Sequence, residues 1–247
     1  MVKAAVREWK DIRKEVFVPL SHPPGEAQVD FGFAYVDLAG ERQQVALFVM
    51  TLPYSDALSI QAFQRECTEG FLEGHNRAFR FIGGVPRKIR YDNSKIAVAK
   101  ITGSRERQVT REFQRIQSHY LFETQFCLVR RANEKGPVEC LVDFGRANFL
   151  VPVPNVESLA DLNETLKQRC RADLARQLRG KDGMKGERLE EERSALLPLP
   201  AQECEARRIT QAGANSLSLV RFDTNSYSVP VNYACHSALQ NRPRIGA

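Results

Sequence analysis

Few of the 247 residues are of the kinds that build zinc sites, disulfide frameworks or membrane spans. There are four histidines, and the six cysteines (Cys67, Cys127, Cys140, Cys170, Cys204 and Cys235) are scattered without a single Cys-x-x-Cys pair. That pattern argues against a metal ribbon and against a disulfide scaffold, and leaves the cysteines as reduced, partly buried small side chains. No apolar run approaches the roughly 18 to 20 residues of a membrane span. The longest, Val45 to Met50, has the length of a strand. Residues 1–14 are charged and hold no apolar signal core, so the expected location is cytoplasmic. No internal repeat is evident.

What is present is an ordinary apolar content of 43% in a chain long enough to bury a full core, and a net charge of +6 with an uneven distribution. Between Arg87 and Arg146 there are 13 Lys and Arg against 7 Asp and Glu, so the whole surplus falls in this segment and the remainder is balanced. Such a bias suits a polyanionic partner, because phosphate contacts from Lys and Arg supply most non-specific nucleic-acid affinity. A solvated charged face would give the same count.

The pattern of apolar residues predicts an order of elements. A short charged helix at residues 4–15 and a Pro-rich connector lead into a strand from Ala27 to Val36. On that strand Ala27, Val29, Phe31, Phe33 and Tyr35 share an apolar face, while Gln28, Asp30 and Gly32 share the other. Val45–Leu52 reads as a strand buried on both faces, and Ala57–Phe63 completes an antiparallel meander. A helix capped by Thr68 carries Phe71, Leu72, His75, Ala78, Phe79 and Ile82 at helical spacing. Lys88–Tyr91 is a short strand that ends at Asp92. A Lys- and Arg-rich loop to about Arg105 leads to a helix with Val109, Phe113, Ile116 and Tyr120 on one face, and Thr124–Val129 is a fifth strand. Gly136 and Pro137 open a helix whose buried stripe is Val138, Leu141, Val142, Gly145 and Phe149. This is the order of an α/β RNase H-like fold, a mixed five-stranded sheet with helices on both faces.

Beyond it the expected organisation is a helical segment, with Ser158 as cap and Leu159, Leu162, Leu166, Cys170 and Leu174 along one helix to about Leu178. A Gly-rich hinge, a second short helix and a hairpin of Ser216–Phe222 with Tyr227–Val231 follow. The expected domains are a stub and linker at 1–22, a core at 23–153, a helical linker region at 154–200 and the start of a small β-barrel at 201–247.

Three acidic residues stand out. Asp30 lies within an otherwise apolar strand, where a carboxylate is costly to bury unless a cation or a metal meets it; Lys95 is the plain structural alternative. Asp92 falls at a strand end, where ligands of α/β sheets collect, although Asp-Asn is also common turn chemistry. Glu139 would be the third residue of its helix, a favourable position for a carboxylate on dipole grounds alone. Together the three could hold a pair of divalent cations for in-line displacement at a phosphodiester. Glu134 is a rival third ligand, Asp143 a supporting acid, and Asp37 and Asp56 ordinary loop acids. Asn93, Lys95, Lys135, Arg130 and Arg131 flank the triad as candidate contacts to DNA.

The motifs Pro23-Pro24-Gly25-Glu26-Ala27-Gln28-Val29-Asp30-Phe31-Gly32, Tyr91-Asp92-Asn93 and Glu134-Lys135-Gly136-Pro137-Val138-Glu139 closely resemble those of IstA-type bacterial insertion-sequence transposases, members of the DDE superfamily with the retroviral integrase core. The resemblance runs from about Trp9 to Tyr233 and includes Leu196-Leu197-Pro198-Leu199-Pro200 and Tyr227-Ser228-Val229-Pro230. It implies that Asp30, Asp92 and Glu139 bind two Mg²⁺ ions, with Mn²⁺ able to substitute. The implied chemistry is cleavage at transposon ends followed by strand transfer into target DNA. The implied partners are transposon-end and target DNA, an AAA+ ATPase helper and further copies of the chain. Measured against that family the chain is expected to be truncated at both ends, so a remnant that only binds DNA or intact transposase is the alternative expectation. A nuclease acting on hybrids or branched DNA would share the site.

Overall fold

The computed structural model describes residues 22–91, 98–102, 106–126, 142–178, 182–207, 209–222, 224–233 and 237–241. A central mixed sheet is built from β1 (Glu26–Leu38), β2 (Glu41–Leu52), β3 (Ala57–Phe63), β4 (Lys88–Tyr91) and β7 (Glu123–Phe126), in the order β3-β2-β1-β4-β7. The first three form the expected antiparallel meander, while β4 and β7 run parallel to β1. A two-residue β8 (Asn155–Val156) pairs with the end of β1.

Each face of this sheet is covered by helices. On one face lie α1 (Thr68–Ile82) and α2 (Arg111–Tyr120), and their Phe71, Leu72, Phe79, Phe113 and Ile116 pack on Ala27, Val29, Phe48 and Met50 of the strands. On the other face lie α3 (residues 142–149) and α4 (Leu159–Asp173), with Val142, Phe149, Leu162, Leu166 and Cys170 against Val36, Leu47, Val49 and Ile60. The run Val45–Leu52 is buried along its whole length because alternate residues feed the two cores. Each large apolar side chain so buried contributes about 1.5–3 kcal/mol. Among the described residues no helix is long and apolar enough to cross a membrane.

Several local expectations change. The cap of α1 is Cys67, whose sulfur accepts the Gly70 N–H at 3.4 Å, because Cys67 is extended and Thr68 is already helical. The segment read as a loop contains an antiparallel hairpin, β5 (Val98–Thr102) and β6 (Glu106–Val109), whose alternation is diluted by Lys and Arg. Val109 therefore ends a strand, and Thr110 caps α2 by accepting the Phe113 N–H at 3.2 Å. Phe33 and Tyr35 share the apolar side of β1 yet are 42% and 58% exposed, since the helices on that side do not reach them. Asp37 lies in β1, not in a loop, and is ion-paired with Arg42 at 2.8 Å.

Residues between 158 and 206 are packed onto the sheet. Ser158 caps α4 as expected, accepting the Asp161 N–H at 3.2 Å, and the helix stops at Asp173. There Asp173, almost fully buried, accepts from Lys185 Nζ at 2.6 Å and from Arg176 at 2.9 Å, which ties α4 to α5 (Lys185–Arg193). Glu192, also fully buried, accepts the backbone N–H groups of Gly25 at 2.9 Å and Ser55 at 3.2 Å, joining α5 to the entry of β1 and to the β2–β3 turn. Farther on, Cys204 is held by Asn76 and Tyr120: Asn76 Nδ2 donates to its carbonyl at 2.7 Å, and its own N–H donates to the Tyr120 hydroxyl at 3.2 Å. Two small antiparallel pairs follow, β9 (Ile209–Gly213) with β12 (Ser237–Asn241), and β10 (Leu219–Phe222) with β11 (Asn225–Ser228).

Asp173→Ala leaves the Lys185 ammonium buried without its carboxylate and is expected to lower unfolding free energy by about 3–5 kcal/mol. Urea denaturation checks this, and a loss below about 1 kcal/mol would mean that the pair does not tie the two helices.

Candidate active site

Asp30 lies on β1, on the strand face that α3 and α4 cover, with Gly32, Ala34 and Val36 following on the same side. Its partner across β2 is Val49, a residue of that same core. The carboxylate is half-buried, and its Oδ1 accepts the Phe31 N–H at 2.8 Å. Phe31 points to the opposite face and packs edge-on against Phe48, with ring centroids 5.5 Å apart, so the strand is anchored beside the acid.

Two contacts position the flanks of the other predicted acids. In the parallel pairing of β1 with β4, Val29 is in register with Tyr91, so Asp30 and Asp92 each follow a member of one cross-strand pair. From the covered face, α3 crosses β1 at Gly32: a Cβ there would lie 2.1 Å from Val142 Cγ1. At the other end of the same helix face, a Cβ on Gly145 would lie 2.6 Å from Ile60 Cδ1. The helix can approach the sheet this closely only because Gly32 has no side chain. Val142 follows Glu139 by three positions in the chain, as Gly32 follows Asp30 by two.

Of the predicted metal ligands and DNA contacts, Asp30 alone lies within the described residues. Asp92, Asn93, Lys95, Arg130, Arg131, Glu134, Lys135 and Glu139 lie outside them. Asp143 is a surface acid of α3, 71% exposed and paired with Arg146 at 2.8 Å. Arg146 also donates from Nε to the Phe33 carbonyl at 2.6 Å, a second tie between α3 and β1.

A further residue of the site's scaffold is His75. The sequence reading puts it on the apolar stripe of α1, and it is fully buried there. Its Nδ1 donates to the Phe71 carbonyl at 2.7 Å, so in the neutral ring Nε2 accepts from the Tyr91 hydroxyl at 2.8 Å. Burial lowers the imidazole pKa to about 4 and pushes the Tyr91 phenol well up. The Tyr91 ring also meets Phe113 edge-on and Phe126 at a tilt, with ring centroids at 5.2 and 6.0 Å. The last residue before Asp92 is thereby fixed by a hydrogen bond and by aromatic packing. Helical periodicity located His75, but its contact to a strand 16 residues later has no local signature.

No family model matches the chain. The fold is RNase H-like, a mixed five-stranded sheet with helices on both faces. A chain of the simian T-cell lymphotropic virus intasome, solved in complex with PP2A regulatory subunit B56 gamma, superposes on it with a TM-score of 0.54 at 15% identity, covering 77% of this chain and 64% of that one. In sequence it is 35% identical over 254 residues to a transposase of Aminobacter aminovorans, across 98% of this chain and 48% of the relative. It is 34% identical over 248 residues to the IS1326/IS1353 transposase of Pseudomonas aeruginosa, across 94% and 48%, and 31% identical over 212 residues to the IS21 transposase of the same species, across 85% and 54%. The chain is thus similar to these insertion-sequence transposases, and it spans about half the length of the curated relatives it matches.

Gly32→Ala is expected to force α3 off β1 and to cost about 1–3 kcal/mol. Adding Val142→Ala should restore part of that loss in thermal unfolding, and a double variant no more stable than Gly32→Ala alone would refute the contact. His75 makes a second prediction. Its folded-state pKa lies below that of the unfolded chain, so its contribution is complete above about pH 6.5 and is lost as pH falls toward 4. The loss should be about 3 kcal/mol by linkage, and a His75→Gln chain should lack that part of the pH dependence in urea titrations.

Proposed function

We propose that this chain is the catalytic core of an insertion-sequence transposase and carries out metal-dependent phosphodiester chemistry on DNA, cleaving element ends and transferring the freed strand to a target. The observation that supports this most directly is the register of β1 with β4, in which Asp30 and Asp92 each follow a member of the pair Val29 and Tyr91. The close crossing of α3 at Gly32 is the second support, because Glu139 belongs to the chain just before Val142.

The donors in this reading are Asp30, Asp92 and Glu139, all carboxylate oxygens, which fits a hard cation such as Mg²⁺ or Mn²⁺ rather than zinc. A pair of such ions supplies activation of the attacking oxygen and charge stabilisation of the leaving one. The protein's part is positional. The strand holds Asp30 at a half-buried point where its carboxylate can serve as a ligand, Gly32 admits the helix, and His75 with Tyr91 fixes the end of β4. Lys95, Asn93, Lys135, Arg130 and Arg131 are proposed to hold the DNA phosphates, in keeping with the cationic surplus between Arg87 and Arg146. The proposed partners are transposon-end and target DNA, further copies of this chain on paired ends, and an AAA+ ATPase helper.

Asp30→Asn, Asp92→Asn and Glu139→Gln are each expected to reduce Mg²⁺- or Mn²⁺-dependent nicking of element-end DNA by roughly a hundredfold to a thousandfold, the order of effect of losing an electrostatic centre. Nicking that persisted undiminished in all three variants would overturn the assignment. Binding of the same DNA should survive in each, with a steep dependence on salt.

A further inference from the structure

At the sheet edge formed by β3, away from the acidic site, α1 and α4 flank a cleft of about 580 Å³. This volume lies within the range of small-ligand pockets, about 300–1,000 Å³. Its walls carry Arg77, Arg80, Lys167, Arg171 and Arg193 against one lining carboxylate, Glu164. Some of this charge is already partnered: Arg77 with Glu73 at 2.7 Å, Arg80 with Glu203, and Arg193 with Glu190. Lys167 keeps only a long, exposed pair with Glu164 at 3.5 Å, and among the described residues Arg171 makes no ion pair.

Gln61, on β3, lines the cleft. It is 7% exposed, and its Oε1 has no hydrogen-bond partner. An orphaned carbonyl oxygen at that depth is costly unless a ligand supplies a donor. Phe81 adds an aromatic surface to the same wall.

A peptide strand could not use this edge. The Ala62 N–H donates to Asn163 Oδ1 at 2.7 Å, and Asn163 Nδ2 donates to the Ala62 carbonyl at 3.0 Å, so the side chain of α4 occupies the ladder position that an added strand would need. What fits is a compact ligand with anionic oxygens for the guanidinium and ammonium groups, a ring for Phe81 and an N–H for Gln61.

We propose that the cleft between α1 and α4 is a nucleotide-binding site, with Lys167 and Arg171 on the phosphate and Gln61 accepting a hydrogen bond from the base. The ligand chemistry is shared by a free nucleotide and by an unpaired nucleotide of a DNA strand.

The test is calorimetric titration of the full chain carrying Asp30→Asn, in EDTA, so that failure here leaves the catalytic reading untouched. The probes are a 2′-deoxynucleoside monophosphate, a single-stranded pentanucleotide, inorganic phosphate and hexaglutamate. Binding of the mononucleotide, weakened about tenfold or more by Lys167→Glu with Arg171→Glu and also weakened by Gln61→Met, supports a free nucleotide as the source. Binding of the pentanucleotide alone, with the same sensitivity, supports a DNA strand. Circular dichroism checks the fold, and the single alanine variants of the two exposed cations replace the double variant should it fail to fold. The proposal is overturned if no nucleotide probe binds at millimolar concentration, if the variants bind unchanged, or if phosphate or hexaglutamate binds as tightly as the nucleotides.

Discussion

The parallel pairing of β1 with β4 is the constraint on which the rest of the site depends. A strand has a side-chain period of two, so a slip of one residue in β1 would turn Asp30 to the helix α1 side and bring Phe31 toward α3. The slip is blocked from both faces. Phe31 is engaged with Phe48 and Phe71 on one side, and Gly32 is covered by Val142 on the other. On β4 the corresponding lock is Tyr91, held by His75 and by its aromatic neighbours. These are apolar and neutral contacts, insensitive to salt, next to a site proposed to handle polyanions.

A second set of contacts makes the later helices part of the same packed body. Leu162, Leu166 and Cys170 of α4 bury against the sheet, and Leu189 of α5 joins the opposite core. Two buried carboxylates then fasten the helices. Asp173 takes Lys185 and Arg176, while Glu192 takes two backbone N–H groups that would otherwise be orphaned. Burial raises the pKa of Glu192, and the N–H donors of Ser55 and Gly25 oppose that rise. Residues expected as a linker thus contribute core side chains and polar clamps.

What was legible in the sequence was whatever one strand or helix shows by itself. The eight buried residues Val45–Leu52, the limits of β3 and the face of β1 that carries Asp30 followed from apolar runs and alternation. The exposure of Phe33 and Tyr35 did not, because alternation defines a face without saying how far the helices cover it. The β5–β6 hairpin was hidden by its charged positions. The contacts that shape the candidate site were also invisible: Tyr91 to His75, and Gly32 to Val142, join residues 16 and 110 positions apart. Alternation places Gly32 only on the face of Asp30, and its reason is the helix above it.

The edge cleft and the acidic site lie on either side of β2, a strand buried on both faces over eight consecutive residues. With strands about 4.8 Å apart, β3 and β1 are separated by about 10 Å, too far for one phosphate to reach both. The phosphate held in the cleft is therefore not the one that would react at Asp30. Any influence between the two would have to pass through β2 itself, whose Phe48 touches Phe31 on β1 and whose Leu47 and Val49 share a core with Ile60 of β3. Because that interior is close-packed, occupancy of the cleft can alter the candidate site only by shifting whole strands or helices, not through a local contact.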